Sequence, residues 1–402
     1  MKRSDRDRPV VAALNIGSSS AKFALFQRGD RNGDPVRLAS GEIDRLGSAH
    51  GTFSVVRRGD SVATHRRVAR PDLASALPAI FDWIESSDSY PELAGIGHRI
   101  VHGGRSFDQP QPVTPRLLRA LRTLTPLDPD HLPAELEALA VSRTRFPHLP
   151  QVACFDTAFH RTMPPVAQLY ALPGRWTTSG VLRYGFHGLS CEYIVHALAS
   201  LDPAGRTLPR TVVAHLGSGC SMTAIRDGRS VETTMGFTPA GGLVMSTRAG
   251  DLDPGVVLYL GRQLRHSPRR LSRLLNQEAG LLGVSGTSAD MQVLLRRARS
   301  DPRARAAVDL FCYQAGKSLG ALASVLGGLD LVVFTGGIGE HSAEIRRRIC
   351  VFASHLGVRI DARRNVAHRP VISSGNSPVI VRVLPTDEER MIAAHTLRVL
   401  SG

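Results

Sequence analysis

Residues Val212 to Gly255, VVAHLGSGCSMTAIRDGRSVETTMGFTPAGGLVMSTRAGDLDPG, decide how this chain is read. The β-branched run Thr211 to Ala214 ends at His215, the small-residue turn Gly217-Ser218-Gly219 follows, and a second apolar strand leads to Asp227-Gly228. Two strands bounded by turn residues predict a hairpin, and its first turn is rich enough in backbone N–H groups to face an anion, phosphate above all. The second half carries Gly236, Pro239, Gly241 and Gly242 before Thr247-Arg248, then Gly250-Asp251-Leu252-Asp253-Pro254. Gly and Pro break any helix there, so this is an ordered loop or an irregular strand carrying one guanidinium. A planar forked donor suits carboxylate or phosphoryl oxygens; the alternative is that Arg248 pairs with Asp251 or Asp253 to hold the loop.

The same shape stands near the N-terminus. A strand from Pro9 to Leu14 runs into Asn15-Ile16-Gly17-Ser18-Ser19-Ser20-Ala21-Lys22, and Phe23-Ala24-Leu25-Phe26 resumes a strand. Setting Asn15-Ile16-Gly17-Ser18 over His215-Leu216-Gly217-Ser218 places Phe23-Ala24-Leu25 over Thr223-Ala224-Ile225 without a gap. A hairpin repeated about half a chain apart predicts a duplicated domain.

The 402 residues are long enough for two domains. The formal charge of +15 comes almost wholly from arginine, Lys2, Lys22 and Lys317 being the only lysines. The arginines are scattered without aromatic interleaving, which argues against nucleic acid and for a small anionic substrate. Five cysteines without a Cys-x-x-Cys pair read as reduced and mostly buried. With neither a secretory h-region nor an apolar run of membrane-spanning length, a soluble cytoplasmic protein is the expectation.

Between the hairpins, helical and extended patterns alternate. Pro71 to Ile84 and Pro115 to Leu124 read as helices, and Ile96 to Gly104 as a strand ending in a glycine turn. His98 and His102 do not share a helical face there, which argues against a metal pair. Arg99 is a guanidinium among apolar neighbours, or else an ordinary exposed strand residue. Val152 to Phe155 is a strand ending at Asp156, placed where α/β proteins put chemistry, or at the N-cap of a short helix. His187 lies between glycine-bounded turns before a helix from Cys191 to Ala199. Farther on, a helix from Ala307 to Leu326 and a strand from Leu329 to Phe334 feed Thr335-Gly336-Gly337-Ile338-Gly339-Glu340-His341, then a helix from Ala343. Strand, glycine turn and helix N-terminus form a nucleotide-sized site. Gly316-Lys317-Ser318 is not a P-loop, since Phe311 stands where glycine is needed.

Together these motifs resemble the acetate and propionate kinase family, within the actin, sugar kinase and heat-shock ATPase superfamily. The resemblance spans nearly the whole chain: Asn15-x-Gly-Ser-Ser-Ser-x-Lys22, His98-Arg99-x-Val101-His102-Gly-Gly, Phe155-Asp156-Thr-x-Phe-His160, Arg183-Tyr-Gly-Phe-His187-Gly, His215-Leu-Gly-x-Gly219, Thr247-Arg248-x-Gly-Asp251-x-Asp253-Pro, Thr335-Gly-Gly-Ile-Gly-Glu340 and Pro385-Thr386-Asp387-Glu388-Glu389. It implies an α/β fold of two duplicated ribonuclease-H-like, actin-like ATPase domains around a cleft. Residues 1–157, completed by a C-terminal helix in 386–402, would form the first and residues 158–385 the nucleotide-binding second.

The reaction it implies is direct in-line transfer of the ATP γ-phosphoryl group to a short-chain carboxylate, acetate first, with Mg²⁺ or Mn²⁺ as the metal. Arg99 and Arg248 match the arginines assigned to the acceptor carboxylate and the transferring phosphoryl, His187 the transition-state histidine, and Asp156 the aspartate that orients the reactants or the metal's shell. Asn15 and Glu388 match the metal contacts, with Glu389 the alternative. Val101, Leu127, Phe186 and Pro239 match the acyl pocket, or else are core. Ser18, Ser20 and Lys22 lie on the first phosphate turn, and His215, Gly217, Ser218 and Gly219 on the second. Asp290, Met291 and Gln292, with Gly336, Gly337, Ile338, Gly339 and His341, match the adenine and glycine-turn contacts. A homodimer acting on small molecules, with neither nucleic acid nor membrane as partner, completes the expectation.

Departures bear on the acceptor and the nucleotide. The family's Leu-Ala-Pro-Leu-His-Asn-Pro is set against Leu124-Thr125-Pro126-Leu127-Asp128-Pro129-Asp130, which loses the histidine and asparagine. Ser218 replaces an asparagine, Ala240-Gly241 a Leu-Glu pair, and His341 another asparagine; Asp290-Met291-Gln292 lacks the arginine that follows in the family. The alternatives are a kinase for another small acid, such as propionate or butyrate, and a nucleotide-binding relative impaired in transfer.

Overall fold

The structure, a computed structural model, describes residues 8–17, 20–29, 34–60, 63–86, 93–201 and 210–401. It is an α/β chain with two sheets, and it divides into two compact units, Met1–Ala158 with Asp387–Gly402, and Phe159–Thr386.

In the first unit β1 (Val10–Ile16), β2 (Ser20–Arg28), β3 (Pro35–Asp44), β4 (His50–Arg57) and β5 (Thr64–Ala69) form an antiparallel meander. On the other side of β1, β6 (Leu93–Ile100) pairs in parallel, followed by β7 (Gln111–Pro112) and β8 (Gln151–Phe155), giving the order β5-β4-β3-β2-β1-β6-β8-β7. Val10 to Leu14 are buried without alternation, as a strand covered on both faces requires. The helix Leu73–Glu85, capped by Asp72 and Ser75 in a reciprocal box, lays Leu77, Ile80, Phe81 and Ile84 against Phe23 and Phe53. The C-terminal helix Glu388–Leu400 comes so close to β6 that a Cβ on Gly97 would stand 2.1 Å from Thr396 Oγ1 and 2.6 Å from Ile392 Cγ2. Only glycine fits there, which makes the tail of the chain part of this unit's core.

The second unit holds β9 (Thr211–Leu216), β10 (Cys220–Arg226), β11 (Arg229–Thr233), β12 (Leu331–Thr335) and β13 (Ile380–Val383), in the order β11-β10-β9-β12-β13. Its hairpin is antiparallel and its last two pairings parallel. This repeats β3-β2-β1-β6-β8 strand for strand, the duplication that the two hairpins predict. The repeat is not gapless. Ile16 pairs with Ala21 across four residues, whereas Leu216 pairs with Cys220 across three. Asn15 therefore faces Lys22 where His215 faces Ser221, and Phe23 corresponds to Met222 rather than to Thr223.

Several element boundaries differ from expectation. The long helix begins at Pro302, capped by Asp301, and ends at Gly327 in the left-handed region. The helix after His187 is Gly188–Leu201. The glycine turn after β12 is itself a short helix, Gly336–His341, because Glu340 Oε1 accepts the Gly336 N–H at 2.9 Å and closes its first turn. All five cysteines are buried and none is in a disulfide. Among the described residues no helix is long and apolar enough to cross a membrane.

Candidate active site

In the first unit the site is built on the C-terminal ends of parallel strands. Arg99, next to last in β6, is not an exposed strand residue: its side chain is 13% exposed and ringed by acids. Nη2 donates to Asp156 Oδ2 at 2.8 Å, Glu135 Oε1 lies 3.7 Å from Nη1, and Glu388 Oε2 lies 3.9 Å from Nε. Burial alone would lower the guanidinium's pKa, but Asp156, Glu388 and Glu135 outweigh it and hold it above its ordinary value. Asp156, directly after β8, is fully buried with its carboxylate turned to Arg99.

Asn15 Nδ2 donates to Glu388 Oε2 at 2.9 Å and to Glu389 Oε1 at 3.0 Å, so it touches both acids between which the sequence could not choose. They are presented together because Asp387 caps their helix by accepting the Arg390 N–H. Arg37 on β3, stacked 4.7 Å over Phe26, is ion-paired to Asp387. Burial lifts the Glu388 carboxyl to about 7, with Arg99 opposing the rise. Two carboxylates and an amide oxygen are hard donors and fit Mg²⁺, which takes few protein ligands and keeps waters and phosphate oxygens. Among the described residues no group of three or more His, Cys, Asp or Glu could cage a metal ion. Lys22 is exposed on β2 and, with Arg37, Glu42 and Glu389, lines a cavity of about 250 Å³. Ser20 is half-buried and its carbonyl accepts the Gly17 N–H; Ser18 lies outside the described residues.

Val101 is buried just beyond β6, and Leu127 is half-buried in the single 3₁₀ turn Thr125–Leu127. The next residue, Asp128, is buried, and its Oδ1 accepts from the His131 backbone at 3.2 Å and meets His131 Nδ1 at 2.9 Å. A histidine, His131, thus stands three residues beyond Asp128 and is tied to it by side chain and backbone. His98 and His102 are core residues: His98 meets Gln151 Oε1 at 2.9 Å, and His102 Nδ1 accepts the Gly104 N–H at 2.9 Å. Burial pushes both imidazoles down to about 4.

In the second unit the site gathers around the Gly217–Gly219 turn. His187 has φ of 59°, a left-handed conformation costly for a non-glycine residue. It is held there by Ser221 Oγ, 2.9 Å from Nδ1, and by His215, stacked 4.1 Å away. His215 is fixed in turn by Ser190 Oγ at 2.8 Å. Buried His160 bridges Ser230 and the carbonyl of Phe186, securing the residue before His187. A Cβ built on Gly219 would lie 3.4 Å from His187 Nε2 and 3.6 Å from Arg248 Nη1, so both side chains approach the same glycine. Arg248 Nη1 also donates to the carbonyl of buried Pro239 at 3.1 Å. Asp251 accepts the Gly242 N–H and Asp253 caps the helix Pro254–Gln263, so both loop acids are engaged by backbone. Phe186 is buried, and burial pushes the Cys220 thiol up to about 12.

The glycine helix lies beside that turn, Gly337 N being 4.0 Å from where a Gly217 Cβ would stand. At Gly336 the φ of 75° favours glycine, and a Cβ there would stand only 2.7 Å from Leu216 O, so backbone and space make the same demand. Gly339 is buried, Ile338 half-buried, and Gly337 and His341 exposed. Asp290 caps the helix Met291–Arg297 by accepting the Val293 N–H, Met291 is buried, and Gln292 is exposed. The sequence reading missed Arg346. It is fully buried and donates to the carbonyls of Gly339, Glu340 and Asn365 and to Asn365 Oδ1, pinning the C-terminal end of the glycine helix. Burial lowers its pKa to about 10. Its signal was position, since it shares a helical face with Ile345, Ile349 and Cys350.

A sheet of three antiparallel and two parallel strands, occurring once in each unit with a polar turn after its first strand, is the ribonuclease-H-like class of the actin-like ATPases. The chain belongs to the Acetokinase family, whose profile matches residues 10–394. It is 46% identical over 98% of its length to 99% of an acetate kinase from Rhodopseudomonas palustris, and 45% identical over 97% of its length to 98% of one from Methylocella silvestris. Among solved structures it is similar to a propionate kinase from Francisella tularensis (TM-score 0.87, 34% identity, 96% of this chain and 98% of that one). It is also similar to the Porphyromonas gingivalis acetate kinase (TM-score 0.84, 35% identity, 98% of this chain and 100% of that one).

Proposed function

We propose that this protein transfers the γ-phosphoryl group of ATP to a short-chain carboxylate, acetate first, giving an acyl phosphate and ADP in a reversible reaction. What carries the reading is that both charged groups, one in each unit, occur in a chain 46% identical over 98% of its length to a protein named acetate kinase. A carboxylate is ionised at neutral pH, so the acceptor needs no general base. One of its oxygens forms the bond to the γ-phosphorus while the bridging P–O bond breaks and its electron pair leaves with ADP. The barrier is chiefly repulsion between anionic oxygens, and positioned cations lower it.

In this reading Arg99 binds the acceptor carboxylate, and Asp156 fixes the direction of the guanidinium rather than taking a proton. Arg248 and His187 meet the phosphoryl oxygens, with Ser221 and His215 holding the imidazole in its strained conformation. Val101, Leu127, Phe186 and Pro239 contact the acyl chain. Lys22, Ser18 and Ser20 on one turn, and His215, Gly217, Ser218 and Gly219 on the other, contact the phosphates. Gly336, Gly337, Ile338, Gly339 and His341, with Asp290, Met291 and Gln292, contact the nucleoside. Asn15, Glu388 and Glu389 would hold Mg²⁺ or Mn²⁺, which when bound supplies charge neutralisation to the phosphate oxygens. Residues 1–157 with 386–402, and residues 158–385, are the proposed domains, in a cytoplasmic homodimer.

The test is purified protein with ATP, Mg²⁺ and hydroxylamine across a panel from acetate to butyrate. Hydroxamate formed fastest with acetate supports the reading. A maximum at propionate or butyrate moves the acceptor, and no hydroxamate with any acid overturns it. Light scattering on the same protein checks the dimer.

A further inference from the structure

Glu135 belongs to none of the motifs, yet its side chain is 1% exposed in the helix Leu132–Arg145. Its two oxygens face different halves of the acceptor site. Oε2 accepts the N–H of Val101, the proposed acyl contact, at 2.8 Å. Oε1 lies 3.7 Å from Nη1 of Arg99, the proposed carboxylate contact, and is buried without a hydrogen-bond partner. A residue needed only to satisfy the Val101 N–H could do so with one oxygen. A buried second oxygen lacking a hydrogen bond disfavours folding, so its retention beside Arg99 points to a role at the site.

We propose that Glu135 is a positioning residue that ties the two halves of the acceptor site together, setting the Arg99 guanidinium against the Val101 wall and so the length of carboxylate accepted. The inference rests on the function proposed above. Hydrogen-bonded to one half and packed 3.7 Å from the guanidinium of the other, a single rigid carboxyl holds both in one register, as a supporting residue around a binding site does.

The experiment compares wild type with Glu135→Gln, which keeps the volume and an acceptor for Val101 but turns an amide N–H₂ toward Arg99. The expected result is a KM for acetate raised about tenfold with the KM for ATP within about twofold of wild type. Selectivity between acetate and butyrate should fall about fivefold, and the melting temperature should be nearly unchanged. Wild-type acceptor kinetics, or a KM for ATP that rises in parallel, overturns the proposal. Should Glu135→Gln not fold, Glu135→Met, which removes both interactions at similar length, is read in its place. If neither folds, Glu135 is a structural residue and the proposal falls. A wild-type protein inactive with every carboxylate would overturn the proposed function itself, whereas an active wild type matched by Glu135→Gln overturns this inference alone.

Discussion

Gly219→Ala tests whether the phosphoryl group passes between His187 and Arg248. The added Cβ would stand 3.4 Å from His187 Nε2, 3.5 Å from Cε1 and 3.6 Å from Arg248 Nη1, each an ordinary van der Waals contact. Gly219 is not in the left-handed region, so alanine meets neither backbone strain nor a clash, and stability should change by less than about 1 kcal/mol. The same methyl narrows the approach that the two side chains share. A displacement of about 1 Å in a reacting group costs about 10² in rate, or about 2.7 kcal/mol of barrier. Turnover should therefore fall about a hundredfold while the protein melts as wild type does. Hydroxylamine trapping of the acyl phosphate gives the rate, and calorimetry gives the melting temperature. A fully active variant would mean that the phosphoryl group does not pass this glycine. An unfolded one would mean that the turn is tighter than its geometry implies.

Arg248→Ala should lower turnover about 10² to 10³-fold with little change in melting, since it removes a charge contact of the transition state; an active variant removes Arg248 from the mechanism. Val101→Ala, at a fully buried position, should cost about 2 kcal/mol of stability and shift preference toward longer acids; an unchanged chain-length profile would make Val101 core alone. Buried His98 is neutral in the folded state, its pKa near 4 against an ordinary 6.5. The unfolded chain therefore takes up a proton that the folded one refuses: this stability is present above about pH 6.5 and is lost as pH falls toward 4, by about 3 kcal/mol. Glu135 and Glu388 have raised pKa values and run the other way, so the diagnostic is wild type minus His98→Gln in urea titrations at pH 7 and 5. A difference that does not change with pH would refute the neutral-histidine account.

What could be read from the sequence was what is local. Hairpin turns, caps and strand ends announce themselves within a few residues, which is why Arg99 and Asp156 could be placed at strand ends and why the helix Pro115–Leu124 is matched end for end. The strand β5 was not legible, because it is an edge strand with nearly every residue exposed and no alternation to detect. Glu135 was missed because its helix has little amphipathic contrast, so a buried acid in it looks like any solvent-facing one. Arg346 was hidden among three consecutive arginines, of which Arg347 and Arg348 pair with Glu344 at or near the surface.

The hairpin register shows where such reading misleads. Residue identity aligns Asn15 to Gly17 with His215 to Gly217 and tempts a gapless extension into the next strand. Pairing instead inserts one residue into the first turn, so that every residue of β2 is displaced by one relative to β10. Paired in this way, Lys22 opposite Asn15 and Ser221 opposite His215 occupy the same position, and the residue that stands there is what separates the hairpins chemically. The position opposite the strand-end polar residue carries a lysine on β2, exposed beside Arg37 and Glu389. On β10 it carries a serine, buried and bonded to His187. The first copy thus offers an exposed cation on a long side chain, whereas the second uses the same position to brace a strained imidazole. The same position of a duplicated hairpin thus carries two different chemistries, in turns that differ in length by one residue.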